Sequence, residues 1–300
     1  MQLIARSVRA REIPGAVTCT ETPGGLVQVE VRTPLATARL YLDGGHVALF
    51  QPAGAAPVLF LSRQSQFAPG HAIRGGVPVC FPWFGPKAGD PAAKMHGFAR
   101  TMDWELESAV QESDGAVTLV LALRSSAATR AHWPHDFVLR HRVHIGGALR
   151  MALEVENTGS TPATFEAALH TYLAVAEVRE TQVAGLEGAR YIDKTDGMKV
   201  KTLPHTPLRI EAETDRVFPG HHGTCVVDDR AGGRKIVIEK SGSATTVVWN
   251  PWGAKAAAMA DFGDDEWPHM LCVETANTGE NAVTLAPGGT HTMTATVRLG

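Results

Sequence analysis

Apolar and polar residues alternate with period two along much of this chain. Val27, Val29 and Val31 alternate with Gln28 and Glu30. Phe137, Leu139, His141, Val143 and Ile145 form one face of a segment whose other face carries Arg140, Arg142 and His144. Leu149, Met151, Leu153 and Val155 alternate with Arg150, Ala152, Glu154 and Glu156, and Met293, Ala295, Val297 and Leu299 repeat the pattern. Successive side chains of a strand point to opposite faces, so these runs predict half-solvated antiparallel strands. Turn signals divide them: Pro23-Gly24-Gly25, Asp43-Gly44-Gly45, Gly146-Gly147, Asn157-Thr158-Gly159, Gly232-Gly233 and Pro287-Gly288-Gly289. Gly146-Gly147 joins two alternating runs as a tight hairpin does. No amphipathic helical pattern runs longer than about three turns, and Lys255 to Met259 predicts a single one. The expected fold is all-β: a large antiparallel β-sandwich, one domain over residues 1–300.

Composition narrows the function. Twenty-eight Lys+Arg against 31 Asp+Glu leave a formal charge of −3, which excludes attachment to nucleic acid or anionic lipid by bulk charge. A 44% hydrophobic content is enough for a real core. The cysteines Cys19, Cys80, Cys225 and Cys272 have neither zinc-knuckle spacing nor the density of a disulfide framework, so a reducing compartment is expected. Arg6, Arg9 and Arg11 have no apolar run behind them, and no stretch approaches the ~20 apolar residues of a membrane helix. The expectation is a soluble, cytoplasmic protein with neither a nucleic-acid nor a membrane partner. Oligomeric state is not legible, and a sandwich of this length is compatible with a monomer.

Several segments carry candidate chemistry. Ile73 to Pro86 reads IRGGVPVCFPWFGP, an apolar loop that must pack on something, with Arg74 at its start. Arg74 suits either an anion site or an ion pair with a core carboxylate. His96-Gly97-Phe98-Ala99-Arg100 follows, and Arg74 and Arg100 could converge on one phosphate through their planar forks. Alone, Arg100 reads as a surface charge. In Phe165 to Leu173, Glu166, Ala168, His170 and Tyr172 share one face, a polar wall suited to sugar recognition or proton transfer. A single His on a sheet is more often structural. Met270 to Val273 is apolar on both faces, implying a covered central strand, and Glu274 follows on the Met270/Cys272 side, near the strand's expected end. A carboxylate there is costly unless paired or used, and an internal salt bridge with an arginine is the commoner explanation. Asp215 suits a sugar hydroxyl or a local ion pair. The His221-His222 and His132/His135 pairs lack metal-site spacing, and neither a P-loop nor a dinucleotide glycine signature is present.

Taken together, IRGGVPVCFPWFGP (73–86), HGFAR (96–100), LHTYL (169–173), GLEGARYIDK (185–194), TDRVF (214–218), WNP (249–251) and CVETAN (272–277) resemble the glucose-6-phosphate 1-epimerase family, relatives of galactose mutarotase. The blocks stand in family order from about residue 45 onward. The resemblance implies a β-sandwich of the galactose mutarotase type that interconverts the anomers of a hexose 6-phosphate without metal or organic cofactor. It implies His170 as general acid, Glu274 as general base, and Arg74, Arg100 and Asp215 as substrate-binding residues. His96 ranks below them as a brace for its loop. Met95 stands where much of the family carries Gln. The expected chemistry starts from ionised Glu274 and protonated His170, helped by an anionic neighbourhood. Two rivals stay open: an aldose 1-epimerase for unphosphorylated sugars, which demotes Arg74 and Arg100, and a sugar-phosphate-binding protein without turnover. An interaction scaffold would leave Glu274 unexplained.

Overall fold

The computed structural model describes residues 6–300; the part of the N-terminal reading that falls on residues 1–5 lies outside them. Three large antiparallel sheets build the molecule. A nine-stranded sheet runs in the order Leu208–Arg209, Thr181–Ala184, Cys225–Asp229, Arg234–Ser241, Thr290–Leu299, Leu149–Asn157, Phe137–Ile145, Val117–Arg124 and Glu105–Gln111. An eight-stranded sheet runs Lys199–Thr202, Arg190–Asp193, Thr214–Pro219, Thr245–Asn250, Met270–Asn277, Ala167–Leu169 and Val79–Cys80, with Tyr172–Ala174 also paired to Met270–Asn277. The strands Val17–Glu21, Val27–Arg32, Ala36–Tyr41 and His46–Pro52 form a third sheet, and Ala163–Phe165 pairs separately with Val283–Leu285.

Alternation places the core. Leu139, Leu153 and Met293 of the nine-stranded sheet join Leu271, Val273 and Phe218 of the eight-stranded sheet in one apolar cluster, which also takes in Val29, Leu40 and Phe50. The expected β-sandwich is the observed architecture. Burying such side chains contributes ~1.5–3 kcal/mol each. The eight-stranded sheet is covered on its outer face as well. Met270 and Cys272 pack there with Phe60, Tyr172 and Trp249, which explains a strand buried from end to end. Such double burial is why Met270 to Val273 shows no alternation.

Helices are few, as the absence of long helical patterns suggested. The turn expected at Lys255 to Met259 is a helix over Trp252–Ala257, and a second short one, Ala127–His132, starts in a capping box at Ser126. Phe165 to Leu173 is not one strand but pieces of three, broken at Glu166 and again at His170-Thr171. Among the described residues no helix is long and apolar enough to cross a membrane.

Candidate active site

The outer face of the eight-stranded sheet carries a cleft of about 220 Å³, and six of the candidates from the sequence lie in its lining: Arg74, His96, Arg100, His170, Asp215 and Glu274. Strand parity explains the convergence. On Met270–Asn277, Leu271 and Val273 face the sandwich core, so Met270, Cys272 and Glu274 face outward. On Thr214–Pro219, Phe218 enters the core and Asp215 faces out. Ala168, His170 and Tyr172 turn outward while Leu169 and Leu173 turn in. Glu274 sits mid-strand, not near its end, because pairing continues to Ala276 on one side and to Asn277 on the other.

His170 and Glu274 are both buried, with His170 Nε2 3.4 Å from Glu274 Oε1. The expected arginine partner for Glu274 is replaced by this histidine. Among the described residues, Glu274 Oε2 and His170 Nδ1 have no hydrogen-bond partner. The imidazole stacks on Tyr172 at 4.8 Å between ring centroids, with Trp249 at 6.1 Å and His96 at 5.6 Å edge-on. Packing therefore fixes its plane.

Protonation departs from the expectation. Burial pushes Glu274 well above the usual carboxylate range; Asp215 adds to this, while Lys194 and Arg100 oppose it. Burial, then Arg100 and Arg74, push His170 well below the usual imidazole range. Both groups are thus biased to their neutral forms, not to ionised Glu274 and protonated His170. The cationic neighbours, not an anionic neighbourhood, set the field.

The loop walls hold the cations. Arg74 Nε and Nη2 donate to Asp261 Oδ2 at 3.2 and 3.0 Å, and Nη1 donates to the Tyr172 hydroxyl at 3.1 Å. Desolvation works against its charge, but Tyr172 and Asp261 outweigh it and raise its pKa. Gly75 and Gly76 do not make room for a ligand. They have positive φ, and a Cβ at Gly76 would overlap the Val47 carbonyl, so they press the loop onto the protein's own backbone and leave Arg74 facing the cleft. Half-buried Arg100 donates Nη2 to the Met95 carbonyl at 2.8 Å, and among the described residues it has no carboxylate partner. Its pKa is pushed down by desolvation first, with Arg74 contributing.

His96 serves its loop and the cleft at once. It has φ 63°, accepts the Gly85 N–H on Nδ1 at 3.2 Å, and stands edge-on to Phe84 at 4.7 Å. Glu166 is absent from the cleft. It accepts the Phe84 and Gly279 N–H groups and the Thr278 hydroxyl, so the polar wall consists of His170 and Tyr172 without it.

Sequence reasoning missed three contributors. Lys194 Nζ lies 3.2 Å from Asp215 Oδ2 and 5.7 Å from the Phe84 ring centroid. It begins the turn Lys194–Asp196 just after the strand Arg190–Asp193, and the sequence marked it only as the last residue of the GLEGARYIDK block. Burial raises the Asp215 pKa against Lys194. Lys255, paired to Glu213 at 2.8 Å, lines the cleft, and Asp261 stands outside the lining and holds Arg74; nothing local marks either as a site residue. Arg74, Arg100, Lys194 and Lys255 face only Asp215 and Glu274 as lining carboxylates, so the cleft suits an anion.

A family model described as "Aldose 1-epimerase" matches residues 28–298. A protein of Escherichia coli (strain K12) named "Putative glucose-6-phosphate 1-epimerase" is 39% identical over 254 residues, 84% of this chain and 83% of its own. The crystal structure of a "putative mutarotase" from Salmonella typhimurium superposes with a TM-score of 0.90 at 31% identity, covering 97% of this chain and 95% of that one. A "galactose mutarotase related enzyme" from Lactobacillus acidophilus superposes at 0.74 over 91% of this chain and 97% of its own; at 12% identity this likeness concerns the fold alone.

Proposed function

The chain belongs to the aldose 1-epimerase family and is an isomerase of the mutarotase type; on that premise we propose that its substrates are hexose 6-phosphates, glucose 6-phosphate foremost, whose α and β anomers it interconverts. The carrying observation is Arg100, a half-buried guanidinium without a carboxylate partner among the described residues, in the same cleft as Arg74 and the His170–Glu274 pair. A phosphate dianion would satisfy it with charge-assisted bonds. A cleft for unphosphorylated sugars would have no use for that unpaired cation. Sugar phosphates do not cross bilayers unaided, so this substrate class goes with a cytoplasmic location.

In the proposed reaction, ionised Glu274 takes the proton of the anomeric hydroxyl while protonated His170 gives one to the ring oxygen. The C1–O5 bond breaks, C1 becomes a carbonyl, and the C1–C2 bond rotates. The steps reverse on the other carbonyl face. Ring opening leaves Glu274 protonated and His170 neutral, the state that burial favours. The site's electrostatics thus stabilise the open-chain intermediate, and the total proton count never changes. Phosphate bound by Arg74 and Arg100 helps recharge the pair. Both arginines weigh on His170, whereas only Arg100 is a resolved influence on Glu274, so neutralising them lifts the imidazole more. In this reading Asp215 and Lys194 hold sugar hydroxyls, and His96 braces its loop beside the imidazole.

The test is anomer exchange by one-dimensional NMR magnetisation transfer, with glucose 6-phosphate and glucose compared at equal concentration. Exchange accelerated mainly for the phosphate supports the proposal. Equal acceleration of both sugars would move the assignment to a general aldose 1-epimerase, and binding without acceleration to a non-catalytic binder.

A further inference from the structure

The strand Thr214–Pro219 separates two recesses. Asp215 lines the active-site cleft, and the next residue, Arg216, lines a different cleft of about 600 Å³. It lies where the margins of the two large sheets meet, between Tyr191 and Arg216 on one side and Gln182 and Arg209 on the other. Leu203, Pro204, Pro207 and Leu208 supply an apolar wall.

The charge in this cleft is unbalanced. Arg209, Arg216 and Arg230 line it with one carboxylate, Glu211, and Asp228 pairs with Arg230, which leaves a formal excess of one positive charge. The Arg216 guanidinium carbon lies over the Tyr191 ring, 4.9 Å from its centroid, a cation–π contact that holds it in place, and among the described residues its N–H groups have no hydrogen-bond partner. Neither Arg216 nor Arg209 has a hydrogen-bonded or ion-paired carboxylate among the described residues. Arg230 spends Nε on Asp228 Oδ2 at 3.1 Å and Nη2 on Gln182 Oε1 at 2.9 Å, which orients it and leaves Nη1 unused. Three guanidinium groups from three separate segments, one pre-oriented by an aromatic face, form an anion cradle beside an apolar wall. The unpaired guanidinium groups of Arg209 and Arg216 offer several N–H donors, which suit the many acceptor oxygens of a di- or polyphosphate.

We propose that this cleft is a second binding site, taking an organic di- or polyphosphate whose charge meets Arg216, Arg209 and Arg230 and whose planar or apolar portion lies on Pro204, Pro207 and Leu208. The site is separate from the catalytic cleft and does not depend on the reaction assigned there.

The test is calorimetric titration of the full chain with ADP, alone and with the catalytic cleft saturated by glucose 6-phosphate. The expected result is saturable binding tighter than about 1 mM, unchanged by glucose 6-phosphate, and weakened about tenfold or more by Arg216→Gln and by Arg209→Gln. Arg209 is exposed, so its replacement reads the site even where loss of Arg216 disturbs Tyr191. Arg209→Gln should keep the wild-type melting temperature and exchange rate. Absence of binding, displacement by glucose 6-phosphate, or unaltered affinity in both variants would overturn the proposal. Inorganic pyrophosphate binding as tightly as ADP would overturn its organic part.

Discussion

Replacing Arg100 by Gln isolates phosphate recognition better than any other change in the cleft. Arg74 is tied to Asp261 and Tyr172, so its loss would strand a carboxylate and a hydroxyl and mix binding with packing. Arg100 releases only the Met95 carbonyl. The variant should therefore fold normally, within about 1 kcal/mol of wild type. A hydrogen bond to a charged group is worth about 1.5–3 kcal/mol, so kcat/KM for glucose 6-phosphate should fall about 10- to 150-fold. Free glucose carries no phosphate, so its slow exchange should change less than threefold, roughly the effect of about 0.6 kcal/mol. Arg100 is also the largest influence after burial holding the His170 pKa down, so the pH profile with glucose should show the imidazole limb moved upward. The assay is magnetisation transfer between anomers over a concentration series, read as separate KM and kcat. An equal loss for both sugars, or none for the phosphate, would refute the assignment of Arg100.

The remaining predictions concern chemistry, pH and backbone. Glu274→Gln and His170→Asn should each lower kcat by ~10²–10⁴ while glucose 6-phosphate still binds in calorimetry; near-wild-type turnover in either would sink the acid/base roles. His46 and His141 are buried, and burial holds them at about 3 and about 4. A depressed histidine contributes stability fully present above pH 6.5 and lost as pH falls toward its folded value. At pH 5 the two together should lose about 4 kcal/mol, partly offset by about 1.4 kcal/mol from Asp43, which desolvation raises to about 6. Urea midpoints at pH 7 and pH 5 check this, and an unchanged midpoint would contradict the burial argument. Gly97 has φ +75°, and a Cβ there would overlap the Phe81 carbonyl, so Gly97→Ala should destabilise by at least about 1–3 kcal/mol and loosen the His96–Arg100 loop. A melting temperature equal to wild type would show that the loop has room to shift.

Period-two alternation is a local property, which is why the strands and their faces were legible along the chain. Phe137 to Ile145 and Leu149 to Asn157 pair as their patterns require, with Gly146-Gly147 in the loop between them. The same logic marked Glu274 as a carboxylate on a covered strand and put His170 and Tyr172 on one face. Breaks in a strand leave no such mark, so Glu166 was drawn into a wall it does not join.

Contacts between distant segments belong to tertiary structure alone. Asp261 reaches Arg74 across 187 positions, and Lys194 meets Asp215 because neighbouring strands place them side by side. Which arginine lacks a counter-charge emerges only once every carboxylate is placed. The bias of the central pair toward its neutral forms escaped the sequence for the same reason. His and Glu look like a charged acid and base in isolation, but a pKa reports burial and every charge nearby. The fold buries both groups under two arginines and a lysine, and that environment, absent from any local pattern, decides their state.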